Sequence, residues 1–240
     1  MDKLSSEQIK RYYCSTFLPN IGKEGQLRLL NSRVLVVGAG GLGSHALTIL
    51  ATSGVGFIGI VDNDVVNIDN LPRQSIYEYK DIGKSKALMC KKRLRKLNPD
   101  IEVKIHKVYL NKKNASGIIK GYDIVLDCTD NFESKFLIND TCLKLNVPFV
   151  IAGVSDFKGQ VMMCIPKKSN DFKSIFDELP INIDEKYKLE DQGVFPPAVA
   201  IVSNIAAGEV MKYLIGMDNL LLNELLIIDT LNNNYQKNYN

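Results

Sequence analysis

The segment Val34-Leu35-Val36-Val37 runs directly into Gly38-Ala39-Gly40-Gly41-Leu42-Gly43, and residues 43–53 then carry helical apolar spacing. A strand that ends in G-x-G-x-x-G and reopens as a helix has few solutions. Glycine permits the tight turn, and the backbone N–H groups at the positive helix end are left facing a phosphate. Nineteen residues past Gly43, Asp62 closes a second apolar run, where a carboxylate can accept hydrogen bonds from ribose hydroxyls. Alone this pattern is generic, and an NAD-dependent oxidoreductase is the first reading it allows.

Apolar runs bounded by turn residues occur at 33–38, 57–62, 101–106, 123–127 and 148–153, and read as buried parallel strands. Helical stretches lie between them at 43–53 and at 84–97, the second stopped by Asn98-Pro99. From Gly159 the texture changes. Residues 160–166 read as a strand, 167–190 as a long surface loop or short helices, 199–214 as a helix ending before Gly216, and 225–230 as a strand. The Asn- and Tyr-rich tail 232–240 reads as frayed. The fold class expected is α/β, a doubly wound Rossmann-like and mostly parallel sheet continued by antiparallel strands in the C-terminal third. At roughly 150 residues per domain, 240 residues suit a single domain. It would comprise an N-terminal helical arm (1–30), a nucleotide-binding part (31–153) and a carrier-binding and dimerisation part (154–240).

Thirty basic against 27 acidic side chains give a net charge of +3, too small a field to gather nucleic acid or an anionic membrane. The cationic residues of 84–97 alternate with Ala87, Leu88, Cys90, Leu94 and Leu97, so they read as the solvated side of an amphipathic helix. Cysteines at 14, 90, 128, 142 and 164 include no C-x-x-C, which argues against a zinc knuckle or a disulfide framework and for a reducing compartment. No apolar leader opens the chain and no run of 18 apolar residues occurs, so a soluble, cytoplasmic protein is expected.

The residues after Asp62 move the reading away from a dehydrogenase. Asp64, Asp69, Asn70, Arg73 and Gln74 cluster past the carboxyl end of the second strand, where open sheets bind ligands. The Arg73 guanidinium can grip phosphate oxygens, and Lys86, in the first turn of the next helix, can add a point charge. The strand ending in Asp127-Cys128-Thr129-Asp130-Asn131 brings Asp130, which can hold Mg²⁺ between phosphate oxygens. Arg, Lys and a metal-binding acid together suit a triphosphate whose pyrophosphate leaves. Cys128, flanked by acids that raise a thiol pKa, and His45 on the first helix read as packing side chains.

These motifs occur in an order that resembles the ThiF/MoeB/HesA adenylyltransferases, relatives of ubiquitin-activating enzymes. The residues carrying it are Arg11-Tyr12, Gly25-Gln26, Gly38 to Gly43, Asp62, Asn70-Leu71-Pro72-Arg73-Gln74, Lys86, Leu97-Asn98-Pro99, Asp127 to Asn131 and Gly159-Gln160. The resemblance implies ATP and Mg²⁺ as cofactors, a homodimer, and adenylation of the C-terminal carboxylate of a ubiquitin-like sulfur carrier such as ThiS or MoaD, for thiamin or molybdopterin type sulfur transfer. It implies catalytic roles for Arg73, Lys86 and Asp130. The nucleotide set would be Gly38, Gly40, Gly41, Gly43, Asp62, Asp64, Asp69, Asn70, Gln74 and Asn131 with those three.

The sequence also departs from that family. The four zinc-binding cysteines common in it are missing, so no zinc site is expected. Leu189 stands where ThiF-type members carry a cysteine able to link covalently to the carrier, and Cys14 where an Arg reaches the partner subunit's phosphates, leaving Arg11 as the substitute. These losses motivate a second reading, a catalytically weak subunit that binds nucleotide or carrier for an active partner.

Overall fold

The computed structural model describes residues 3–176 and 193–239. The chain opens with α1 (Ser6–Arg11), α2 (Tyr13–Thr16) and α3 (Gly22–Asn31), followed by β1 (Arg33–Val37), α4 (Gly41–Thr52) and β2 (Phe57–Val61). Next come α5 (Lys86–Leu97), β3 (Glu102–His106), α6 (Ala115–Ile119), β4 (Ile124–Asp127), α7 (Phe132–Leu145) and β5 (Phe149–Ser155). The C-terminal third holds β6 (Lys158–Cys164), α8 (Phe172–Ile175), α9 (Pro196–Ile215), β7 (Glu224–Asp229) and β8 (Asn234–Tyr239).

The strands form one sheet in the order β3-β2-β1-β4-β5-β6-β7-β8. The first five in this order pair in parallel, and β6, β7 and β8 continue the sheet antiparallel, as the sequence leads one to expect. The central strands are buried on both faces, which is why they read as unbroken Val/Ile/Leu runs. α4, α5 and α9 pack their apolar sides on one face, α6, α7 and α8 on the other.

Local chemistry sets the helix ends. Ser85 accepts a hydrogen bond from the N–H of Leu88 at the start of α5, and Asn131 does the same for Ser134 at the start of α7. α9 begins on two prolines and stops at Gly216, whose φ of +84° only glycine adopts without strain. α9 is long and apolar enough to cross a membrane, yet it packs on α4, β5 and β6. Its buried Glu209 accepts from the N–H of Leu221 and pairs with Lys212.

One expectation needs correction. The tail is not frayed: β8 pairs with β7 over six residues, from Asn234↔Asp229 to Tyr239↔Glu224. Its side chains are exposed through Asn238, so backbone pairing rather than apolar burial orders it, and no apolar pattern announces it. Within 167–190, residues 172–175 form α8, and Leu189 lies outside the described residues.

Candidate functional site

The glycine loop leaves β1 at the carboxyl edge of the sheet, where three other segments close on it. A Cβ at Gly38, which has φ +91°, would stand 2.8 Å from the carbonyl oxygen of Cys128 just past β4. A Cβ at Gly43 would run into the carbonyl oxygen of Gly38 itself. At Gly41 the same atom would meet Val199 of α9 at 3.0 Å and the stem of Arg73 at 3.8 Å, and at Gly40 it would lie 3.8 Å from Gln74 Nε2. α4 therefore starts among β4, the 68–75 segment and α9, with Gly40 as an N-cap that supplies no side-chain acceptor. Its first N–H groups remain available to an anion.

Asp62 is fixed at the end of β2. Its Oδ2 accepts from the N–H of Ala39 at 2.8 Å and its Oδ1 from the N–H of Asp64 at 2.8 Å. Burial nevertheless holds the Asp62 carboxyl above its ordinary range, outweighing those two bonds and the nearby Lys86. The hydroxyl of Tyr77 donates to the carbonyl of Ala39 at 2.6 Å, so the residue whose N–H grips Asp62 is also held at its carbonyl. Tyr77 also lies 3.2 Å from Cys90 Sγ, one turn along α5 from Lys86. Lys86 is buried, donates its backbone N–H to the Asp64 carbonyl at 2.9 Å and places Nζ 3.2 Å from Asp64 Oδ2.

Arg73 and Gln74 are positioned by a short 3₁₀ turn, Ile68–Asn70. The carbonyl of the buried Asn70 accepts from the N–H groups of Arg73 (3.1 Å) and Gln74 (2.9 Å), and Asn70 Nδ2 donates to Asp69 at 3.2 Å. Arg73 Nη1 donates to the Asp69 carbonyl at 2.7 Å. His45 on α4 lies 3.4 Å from Ser75 Oγ, and burial lowers its pKa.

At the end of β4, Asp130 is exposed and accepts from Asn131 Nδ2 at 3.3 Å, while Asn131 Oδ1 caps α7. The acid beneath them, Asp127, is fully buried. Its Oδ1 accepts from the N–H and the hydroxyl of Thr129, at 2.8 Å and 2.6 Å, and stands 3.6 Å from the ammonium of Lys135, which also donates to the Ala152 carbonyl. Asp127 Oδ2 is buried without a partner among the described residues. Sequence reasoning missed Lys135 and Tyr77, whose partners lie on other strands and loops; a lysine among the apolar positions of 132–145 was the available signal.

Arg11 does not stand free as a substitute for the arginine replaced by Cys14. It pairs with Asp100 of its own chain at 3.6 Å and donates to the Leu97 carbonyl, while Cys14 is exposed. Cys90, Cys128, Cys142 and Cys164 are buried, and burial first, with acids near Cys128, pushes their thiols up, to about 12 for Cys90 and about 11 for Cys164.

The ThiF family model matches residues 13–239. The chain belongs to the ThiF family. This ThiF family chain is 38% identical over 233 residues to a probable molybdopterin-synthase adenylyltransferase of Porphyra purpurea, covering 97% of the chain and 61% of that protein. It is 37% identical over 238 residues to a sulfur carrier protein adenylyltransferase of Thermus thermophilus, covering 97% of the chain and 88% of the relative. It thus spans about three fifths of the Porphyra protein's length. Among solved structures, E. coli MccB with ATP superposes on 98% of the chain and 72% of MccB with a TM-score of 0.84 at 26% identity.

Proposed function

We propose that this ThiF family chain is an ATP-dependent adenylyltransferase that activates the C-terminal carboxylate of a small sulfur-carrier protein of the ThiS or MoaD kind. The observation that carries the reading is the uncapped start of α4, bare of side chains at the glycine loop and flanked by Arg73 at Gly41. Backbone N–H groups, a guanidinium and the nearby ammonium of Lys86 fit a triphosphate better than the diphosphate of a nicotinamide cofactor. The Thermus relative carries the matching activity in its name.

In this reading Asp62 receives the ribose hydroxyls, held ready by Ala39 and Asp64. Gly38, Gly40, Gly41 and Gly43 let the phosphates approach the backbone. Asp69 and Asn70 hold Arg73 over the loop, Asp64 pairs with Lys86 and Gln74 lies beside Gly40, so these four line the path of the nucleotide. Mg²⁺, when bound, would neutralise phosphate charge, and the exposed carboxylate of Asp130, with Asn131 beside it, is the group on this chain suited to hold it. A carboxylate oxygen of the carrier attacks the α-phosphorus, the bond from that phosphorus to the bridging oxygen of pyrophosphate breaks, and acyl adenylate and pyrophosphate result. Arg73 and Lys86 stabilise the charge gathering on the phosphorus and the leaving group. The nucleophile needs no base, because a carboxylate is ionised at neutral pH.

We assign residues 31–153 to the nucleotide and 154–240 to the carrier and to dimerisation in a cytoplasmic homodimer. Arg73, Lys86, Asp62 and Asp130 together speak against a catalytically weak scaffold. The test is mass spectrometry of a Gly-Gly-ending carrier from the same genome, incubated with the chain, ATP and Mg²⁺. A carrier that gains one AMP supports the reading, and carriers that all stay unmodified oppose it.

A further inference from the structure

Phe157 and Phe195 form an exposed aromatic pair at the carboxyl edge of the sheet. Their ring centroids are 4.9 Å apart, and the residues are 39% and 38% exposed. They line a cavity of about 300 Å³ with Asp156, Val194 and Pro196. The pair is built deliberately. Asp156 adopts φ +50° in the β5–β6 turn and bridges to Val194 in parallel, its carbonyl accepting from the N–H of Phe195 at 2.9 Å. The carbonyl of Phe157 accepts from both the N–H and the hydroxyl of Thr230. Fixing two apolar rings at a solvent-facing rim gains little for the fold.

The place of the pair relates it to the glycine loop. Phe195 lies four residues, one helical turn, before Val199, whose Cγ1 is the atom nearest a Cβ at Gly41. On the strand side, Asp127 of β4 is in register with Ile151, and β5 runs on to Ser155, so the Asp156–Phe157 turn stands roughly 15 Å beyond the level of Asp127 at about 3.3 Å per residue. The pair therefore stands at the same carboxyl edge of the sheet as the glycine loop and Asp130, joined to the loop through the first turn of α9.

We propose that Phe157 and Phe195 form the slot that takes an apolar side chain of the carrier's extended tail, a few residues before its terminal carboxylate. The inference rests on the adenylation reading above. A tail presenting its carboxylate at the glycine loop passes along this edge, and an aromatic anchor one turn of α9 before Val199 fixes how far it reaches. The cavity has the volume of a single apolar side chain with room for its backbone, which suits a peptide and not a second folded surface.

The experiment measures pyrophosphate exchange with the carrier that accepts AMP from the wild-type chain. In Phe157→Ala/Phe195→Ala the KM for carrier should rise about tenfold or more, with KM for ATP and calorimetric ATP binding unchanged. Phe157→Leu/Phe195→Leu, which keeps the slot apolar, should restore most of the loss. In parallel, each apolar residue among the carrier's last six is changed to serine. One such change should raise KM similarly in the wild-type chain and add nothing in the double alanine variant. A carrier KM unchanged in the alanine variant, or a tail scan with no sensitive position, overturns the proposal. Should the alanine variant not fold, the tail scan and the leucine variant decide. A wild-type chain that adenylates no carrier instead removes the adenylation reading itself.

Discussion

The ammonium of Lys86 is buried at the start of α5 and lies 3.2 Å from the carboxylate of Asp64, which is 60% exposed. The cation is thus presented from a desolvated stem to a solvent-facing acid, and a phosphate can compete for it at small cost. Lys86→Met keeps the apolar stem and removes the charge. An ion pair with an exposed partner is worth under about 1 kcal/mol, so the denaturant midpoint should barely move. The rate of carrier adenylation should fall about 10²–10³-fold. A variant of near wild-type rate would take Lys86 out of the phosphate site.

Asp62 supplies a pH prediction whose sign is fixed by burial. Its carboxyl is raised in the folded chain, so its contribution to stability is full below the ordinary carboxylate pKa and is lost as pH rises through the folded value. Asp62→Asn does not ionise. Its Tm should therefore improve relative to wild type between about pH 4 and pH 7, while its ATP affinity drops about tenfold as ribose acceptors are lost. A difference in Tm that stays constant with pH would contradict this balance of burial over hydrogen bonding.

Thiol chemistry separates Cys14 from the rest. Four of the five cysteines are buried with raised pKa values, and Cys14 is exposed. A thiol reagent at about pH 8 should titrate one group quickly in the native protein and five in denaturant. Cys14→Ser should abolish the fast phase. A second fast thiol would mean that a core strand or α5 opens readily.

The parallel strands were legible because burial on both faces forces unbroken runs of Val, Ile and Leu, and their turn residues mark the ends. The strands 33–38 and 57–62 end one residue earlier in the structure, at Val37 and Val61. α7 escaped notice because its buried side carries Ser134, Lys135, Asn139 and Thr141, which hide the helical period behind polar residues. β8 escaped because its side chains carry no apolar alternation and its backbone ladder with β7 orders it.

For the site, a sequence motif puts Arg73 and Gln74 near the glycine loop, and the local fold gives the reason. Asn70 gathers two N–H groups and turns both side chains back toward Gly40 and Gly41. Tyr77 was invisible because its partner, the Ala39 carbonyl, lies 38 residues away in sequence and across the loop. The loss of the arginine at Cys14 was legible, but the fate of Arg11 was not, since Asp100 reaches it from beyond the end of α5.

The most direct measurement is isotope exchange between labelled pyrophosphate and ATP, with and without carrier, in the wild-type chain and in Asp130→Ala. Exchange requires adenylate formation to run in both directions at this site. We expect label in ATP only when carrier and Mg²⁺ are both present, and loss of exchange in Asp130→Ala with its thermal unfolding unchanged, because Asp130 is exposed and bonds only to its neighbour Asn131 among the described residues. Exchange that is absent with every Gly-Gly-ending carrier of the genome, or that persists in Asp130→Ala, would contradict the proposed chemistry or the role of that carboxylate in it.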